Sequence, residues 1–188
     1  MPRSVPEAVR AFHSGDTEAF GIIYDAFVDS IYRFCRYRVD DPERAEDLTS
    51  EVFFKALRSF SSFSGDTEDA VKYWLYRIAR TTIIDAYRTD HPSDSIDETF
   101  ERADDSVDVS GAVADRDLVA QVRTLVDELP EDARTILILR IWEGLSFTEI
   151  AEITGKSVDN CKQIASRNLR KIRAEFPGVA LLLVLFFL

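Results

Sequence analysis

Residues 89–116, TDHPSDSIDETFERADDSVDVSGAVADR, hold nine acidic side chains against two basic ones and show neither helix nor strand period. A stretch so poor in large apolar residues cannot bury enough surface to offset the entropy of ordering its backbone, so it reads as a solvated linker. It splits the 188-residue chain into a block at 1–88 and a block at 117–176, followed by an apolar tail at 177–188. Each block must therefore build its own core. Both carry apolar residues at three-four spacing rather than in strand alternation. The expected fold class is all-α: two small helical domains joined by an acidic flexible linker.

The formal charge of −11 argues, taken whole, against nucleic-acid binding, because neutralising phosphates needs Lys and Arg. Divided along the chain it is −3 over 1–88, −7 over 89–116 and −1 over 117–188. Most of the excess sits in the linker, and Lys156 to Arg173 carries six basic residues against the single Asp159. The two cysteines, Cys35 and Cys161, and two histidines, His13 and His91, form no metal spacing and no disulfide framework. No cofactor is expected. Nor does the sequence hold a carboxylate pair, a nucleophile with its base or a glycine-rich phosphate loop, so an enzyme is not expected. The cysteine usage and the lack of a signal-like apolar run in MPRSVPEAVRAFHSGD point to the cytoplasm.

In the first block, Phe20, Ile23, Tyr24, Phe27, Ile31, Phe34, Cys35 and Val39 mark one face of a long helix capped by Asp16. After Asp40-Asp41-Pro42 a second helix buries Ala45, Leu48, Val52, Ala56 and Phe60. Its other face, with Glu46, Asp47, Glu51, Lys55 and Arg58, is either a solvated surface or a partner surface. Residues 61–70 read as a loop. A third helix over 70–88 places Val71, Leu75, Ile78, Thr82 and Ala86 in a core stripe flanked by Trp74. Opposite them lie Tyr73, Tyr76, Arg77, Arg80, Ile84, Tyr87 and Arg88. Aromatics interleaved with arginines suit single-stranded nucleic acid, whose bases stack and whose phosphates pair with guanidinium groups. The same tyrosines could equally pack on a neighbouring helix.

The second block predicts a helix over 117–129 stopped by Pro130, then one burying Ile136, Leu137, Leu139, Ile141 and Trp142 and closed by Gly144. Ser146 with Glu149 fits a capping box, Ile150 and Ala151 face inward, and Gly155 sits where a tight turn needs a positive φ. Ser157 caps a final helix burying Cys161, Ile164, Ala165 and Ile172. This is helix-turn-helix grammar. Its outward side carries Asn160, Lys162, Gln163, Ser166, Arg167 and Arg170, which can read base edges in a major groove, while Lys171 and Arg173 suit phosphates.

The strings AEDLTSEVFFKALRSF (45–60), YWLYRIARTTIIDAYR (73–88) and ELPEDARTILILRIWEGLSFTEIAEITGKSV (128–158) resemble bacterial RNA polymerase sigma factors of the extracytoplasmic-function class. The resemblance implies that Glu46, Asp47, Thr49, Ser50, Glu51, Lys55 and Arg58 bind core RNA polymerase. It further implies that Tyr73, Trp74, Tyr76, Arg77, Arg80, Thr81, Ile84, Tyr87 and Arg88, with the loop before them, bind and melt the −10 promoter DNA. Ser157, Asn160, Lys162, Gln163, Ser166, Arg167, Arg170 and Lys171 would read the −35 element. An anti-sigma factor is an implied partner, and the linker would thread through the polymerase, its acidity imitating nucleic acid in a positive channel. At no more than about 90 Å, 28 residues can follow two duplex turns of about 34 Å. Relatives often carry Asn where this chain has Thr81, and an aliphatic residue where it has Cys161. Two other readings stay open: a free-standing helix-turn-helix regulator, and a sigma-like helical interaction protein without initiation activity.

The tail ends in ValAlaLeuLeuLeuValLeuPhePheLeu, ten apolar residues that as a helix would reach about 15 Å, half of a bilayer core. Its cover could be the C-terminal domain, an inhibitory partner or a weak membrane contact, or it could be the stump of a longer membrane segment.

Overall fold

A computed structural model describes residues 4–39, 41–90 and 129–175. The chain divides into two units, Met1–Ser93 and Asp94–Leu188. Among the described residues every regular element is an α-helix or a 3₁₀ turn. The expected helix over 117–129 apart from Leu129, nearly all of the linker and the apolar tail lie outside the described residues.

The first unit holds α1 (Val5–His13), α2 (Phe20–Arg36), α3 (Pro42–Ser59) and α4 (Glu68–Asp90). Helix α1 was not expected. Its start is written in Ser4-Val-Pro-Glu7, where the Ser4 backbone N–H donates to Glu7 Oε2 at 2.7 Å and Pro6 occupies the first turn. Ahead of α2, Thr17–Ala19 forms a 3₁₀ turn and the Asp16 side chain makes no capping bond, so the regular helix begins at Phe20, where the apolar period starts, and later than a cap at Asp16 would place it. Asp41 does cap α3, accepting from the Glu43 backbone N–H at 3.1 Å.

The core of this unit forms where α2, α3 and α4 pack together, with Ile23, Ile31, Phe34, Leu48, Val52, Ala56, Val71, Leu75 and Ala79 buried. Phe60 is fully buried and has five rings around it: Phe12, His13, Phe20, Phe63 and Trp74. The His13 Nε2 also lies 3.2 Å from the Phe60 carbonyl, tying α1 to the end of α3. Tyr24 is 43% exposed, although it stands on the apolar stripe, and rests one edge on Phe53. Ile78 and Ala86 are only half-buried, while Ala79 and Ile83 take the interior places on α4.

The second unit holds α5 (Glu131–Ile141), α6 (Phe147–Thr154) and α7 (Val158–Glu175). Four consecutive residues of α5, Ile136 to Leu139, have no exposure, so this helix is covered on nearly every side. Ile141 and Trp142 are half-buried rather than core. The turn to α6 is held by Arg140, whose Nη1 donates to the Leu145 carbonyl at 3.0 Å while its guanidinium sits 5.2 Å from the Phe147 ring. On α7 the interior is Cys161, Ala165, Asn168, Leu169 and Ile172, and Ile164 is half-buried.

Candidate polymerase and promoter surfaces

Helix α3 presents Glu46, Asp47, Ser50, Glu51 and Arg58 to solvent. Thr49, expected beside them, is buried, and its hydroxyl donates to the Ala45 carbonyl at 2.7 Å. Two residues outside the 45-48-52-56 spacing, Thr49 and Phe53, are buried as well, and Thr49 belongs to the core. Lys55 is half-buried: its ammonium pairs with Glu51 Oε1 at 2.8 Å and donates to Thr82 Oγ1 on α4 at 3.2 Å. Two apolar residues join the exposed face unforeseen, Phe54 at 59% and Leu57 at 42%, with the Arg58 guanidinium 5.6 Å from the Phe54 ring. Their signal was in the sequence, as apolar residues standing off the buried stripe.

On α4, Arg77, Thr81 and Arg88 are exposed and Tyr73, Trp74, Arg80, Ile84 and Tyr87 half-buried. Tyr76 is not on this surface. It is 2% exposed and stands edge-on to Phe34 of α2, ring centres 5.4 Å apart, so the packing alternative holds for this tyrosine. Trp74 leans on Phe63 at 4.9 Å and Phe60 at 5.6 Å, so part of its surface is already covered. The Thr81 hydroxyl is turned back on its own helix, donating towards the Ile78 and Arg77 carbonyls at 2.9 and 3.1 Å. Ahead of α4, Phe63 folds over Gly65, where an added Cβ would come within 2.4 Å of the ring and 2.7 Å of Ala70 Cβ. The loop is therefore compact, with Ser61, Ser64, Asp66 and Thr67 facing solvent.

The helix-turn-helix has the geometry its sequence predicts. The Ser146 hydroxyl accepts from the Glu149 backbone at 3.3 Å, and Glu149 Oε2 accepts from the Ser146 N–H at 2.8 Å. Gly155 ends α6 at φ 70°. The Ser157 hydroxyl accepts from the Asn160 backbone at 3.2 Å, setting the start of α7. Asn160, Lys162, Gln163, Ser166, Arg167, Arg170 and Lys171 are all exposed, as is Ser157. One cation of the basic segment is already engaged: Lys156 Nζ pairs with Asp132 Oδ2 at 2.6 Å, fastening the turn to α5. Arg170 Nε also donates to the Ser166 carbonyl at 3.3 Å.

Among the described residues no group of three or more His, Cys, Asp or Glu could hold a metal ion, and no helix is long and apolar enough to cross a membrane.

Comparison with known proteins agrees with this two-part layout. The sigma-70 region 2 family matches residues 23–91 and the sigma-70 region 4 family residues 120–172. The ECF RNA polymerase sigma factor BldN of Streptomyces coelicolor is 30% identical over 180 residues, covering 93% of this chain and 66% of that protein. SigX of Bacillus subtilis, also an ECF sigma factor, is 30% identical over 162 residues, covering 83% of this chain and 82% of that one. In fold the chain is similar to CnrH, solved with the cytosolic domain of CnrY, at TM-score 0.68 and 21% identity over 92% of this chain and 97% of CnrH. It is also similar to the sigma factor RpoE solved with the anti-sigma factor NepR from Bartonella quintana, at TM-score 0.61 and 20% identity over 85% and 97%. A free-standing helix-turn-helix regulator has no use for a region 2, so that reading falls away. The chain belongs to the extracytoplasmic-function class of RNA polymerase sigma factors, proteins of promoter-specific transcription initiation.

Proposed function

We propose a division of labour among three surfaces. Helix α3 docks on core RNA polymerase through Glu46, Asp47, Ser50, Glu51 and Arg58, with Phe54 and Leu57 as its apolar contacts. Helix α4 and the loop before it hold the opened −10 strand: Arg77, Arg80 and Arg88 pair with phosphates, Tyr73 and Tyr87 offer rings to bases, and Thr81, Ile84 and the uncovered edge of Trp74 complete the surface. Helix α7 enters the major groove of the −35 element, where Asn160, Lys162, Gln163, Ser166, Arg167 and Arg170 meet base edges and Ser157 and Lys171 meet the backbone. The observation that carries this reading is the seven-residue polar and basic face of α7, every member of it exposed, on a turn built by Ser146, Gly155 and Ser157.

The chain acts through binding free energy, without bond chemistry of its own. It works in the cytoplasm, beside the polymerase. Solved RpoE is held by the anti-sigma factor NepR, and we extend an inhibitor of that kind to this chain. Its target would be the exposed Phe54 and Leu57 face, which polymerase and inhibitor would then share.

Run-off transcription with purified core enzyme and a genomic promoter library tests the reading. Promoter-dependent transcripts are expected from the parent. Gln163→Ala and Arg167→Ala should each lower promoter selectivity by about 1–3 kcal/mol per lost base contact. Unaltered selectivity in both would overturn the assignment of α7.

A further inference from the structure

Lys55 was expected among the polymerase contacts, and its position on α3 fits that expectation. Its ammonium does not. It bridges Glu51 one turn back on its own helix, at 2.8 Å, and the hydroxyl of Thr82 on α4, at 3.2 Å. Thr82 is fully buried, and most of the buried residues of α3 and α4 are apolar, Val52, Ala56, Leu75, Ala79 and Ile83 among them. Apolar contacts resist separation but tolerate small slides and rotations. A charge-assisted hydrogen bond is directional, so one that crosses such an interface constrains the register of one helix on the other. Thr82 stands directly after the exposed Thr81 and two residues after Arg80, so what fixes its place also fixes the height and rotation of the arginine face.

We propose that Lys55 is a positioning residue for promoter opening rather than a polymerase contact: through Thr82 it sets α4 against α3, so the helix docked on polymerase determines where the opened strand is held. This rests on the assignment of α3 to polymerase and α4 to DNA. Glu51 belongs to the same chain of contacts. Being exposed, it orients the ammonium and is also available to the docking partner.

The test uses the full chain assembled with core enzyme, with two readouts: affinity for core, and the rate at which promoter thymines become reactive to permanganate. Lys55→Met and Thr82→Val should each slow opening at least about tenfold, the effect of one lost hydrogen bond to a charged group. Affinity for core should stay at the parent value in both. Thr82→Ser keeps the hydroxyl and should restore opening. The double variant should be no slower than either single, since both break the same contact. Lowered core affinity with parental opening in Lys55→Met would overturn the proposal, as would additive losses in the double variant. If Lys55→Met fails to bind core, Thr82→Val decides, because it leaves every surface residue of α3 in place. Glu46→Ala with Asp47→Ala, and Arg77→Ala with Arg80→Ala, run alongside. Parental core affinity in the first pair or parental opening in the second would sink the docking or the melting assignment separately from the role of Lys55.

Discussion

Burial pushes the Cys35 thiol up from 9.0 to about 11, with the Thr49 hydroxyl and the Arg38 charge pulling it partly back. The folded protein therefore keeps this proton at a pH where the unfolded chain has lost it. The resulting stabilisation is complete below pH 9 and drains away as pH rises towards 11. Urea midpoints at pH 8 and pH 10.5 should show a larger alkaline loss for the parent than for Cys35→Ala. An equal loss would mean that Cys35 titrates normally. The thiol should likewise resist alkylation until the first unit unfolds. Tyr76→Ala should lower stability by about 3–5 kcal/mol in urea unfolding, as for other large aromatics removed from a core. Tyr76, Thr49 and Lys55 share the reason their places were not legible in the sequence. Angular position on a helix gives a direction, but how wide an arc is covered depends on neighbours, here Phe34 from α2 and Thr82 from α4. Arg77, Arg88 and the outer residues of α7 lie far enough round their helices for direction alone to decide.

Helix ends were more legible than helix faces. The α6 cap, the positive φ of Gly155 and the Ser157 cap each follow from a residue type with one local job. Ser146→Ala should cost about 1 kcal/mol in unfolding of the second unit. Gly155→Ala should cost about 1–2 kcal/mol for the left-handed backbone alone, since its Cβ would meet nothing within 4 Å. Gly65→Ala is the contrasting case. Its φ is unremarkable and its Cβ would strike Phe63 and Ala70, so the about 1–3 kcal/mol expected comes from displaced packing. A thermal melt of the three variants separates these causes, because only the Gly65 defect should be partly relieved by shrinking Phe63 to Leu. Helix α1 is not legible in the apolar pattern because nine residues with three buried positions give too short a period, although Ser4 and Glu7 mark its start.

At the level of the molecule, the signal for function is spread over two blocks in a fixed order, so it does not hinge on the placement of any single residue. The overall charge of −11 misleads because it averages an acidic linker with blocks that are nearly neutral. With so few uncommitted cations on α7, binding of duplex by the protein alone should be weak. It should also fall steeply with salt, by close to one log unit per log unit of salt for each phosphate neutralised. A titration series between low and physiological salt checks this, and a flat dependence would show that charge contributes little. Replacing the Asp and Glu residues of the linker by Asn and Gln should change initiation by the holoenzyme in a salt-dependent manner if the acidity acts on a positive channel. Identical initiation at every salt concentration would refute that role.

The chain has two tryptophans, and they fall one to each unit: Trp74 against Phe60 and Phe63, and Trp142 at the end of α5. Replacing either with Phe leaves a single tryptophan, excitable at wavelengths where the six tyrosines do not absorb, that watches one unit only. The Trp74 emission would report on the loop ahead of α4 as single-stranded DNA engages. The molecule thus carries, without any label, a separate optical channel for each half of its task.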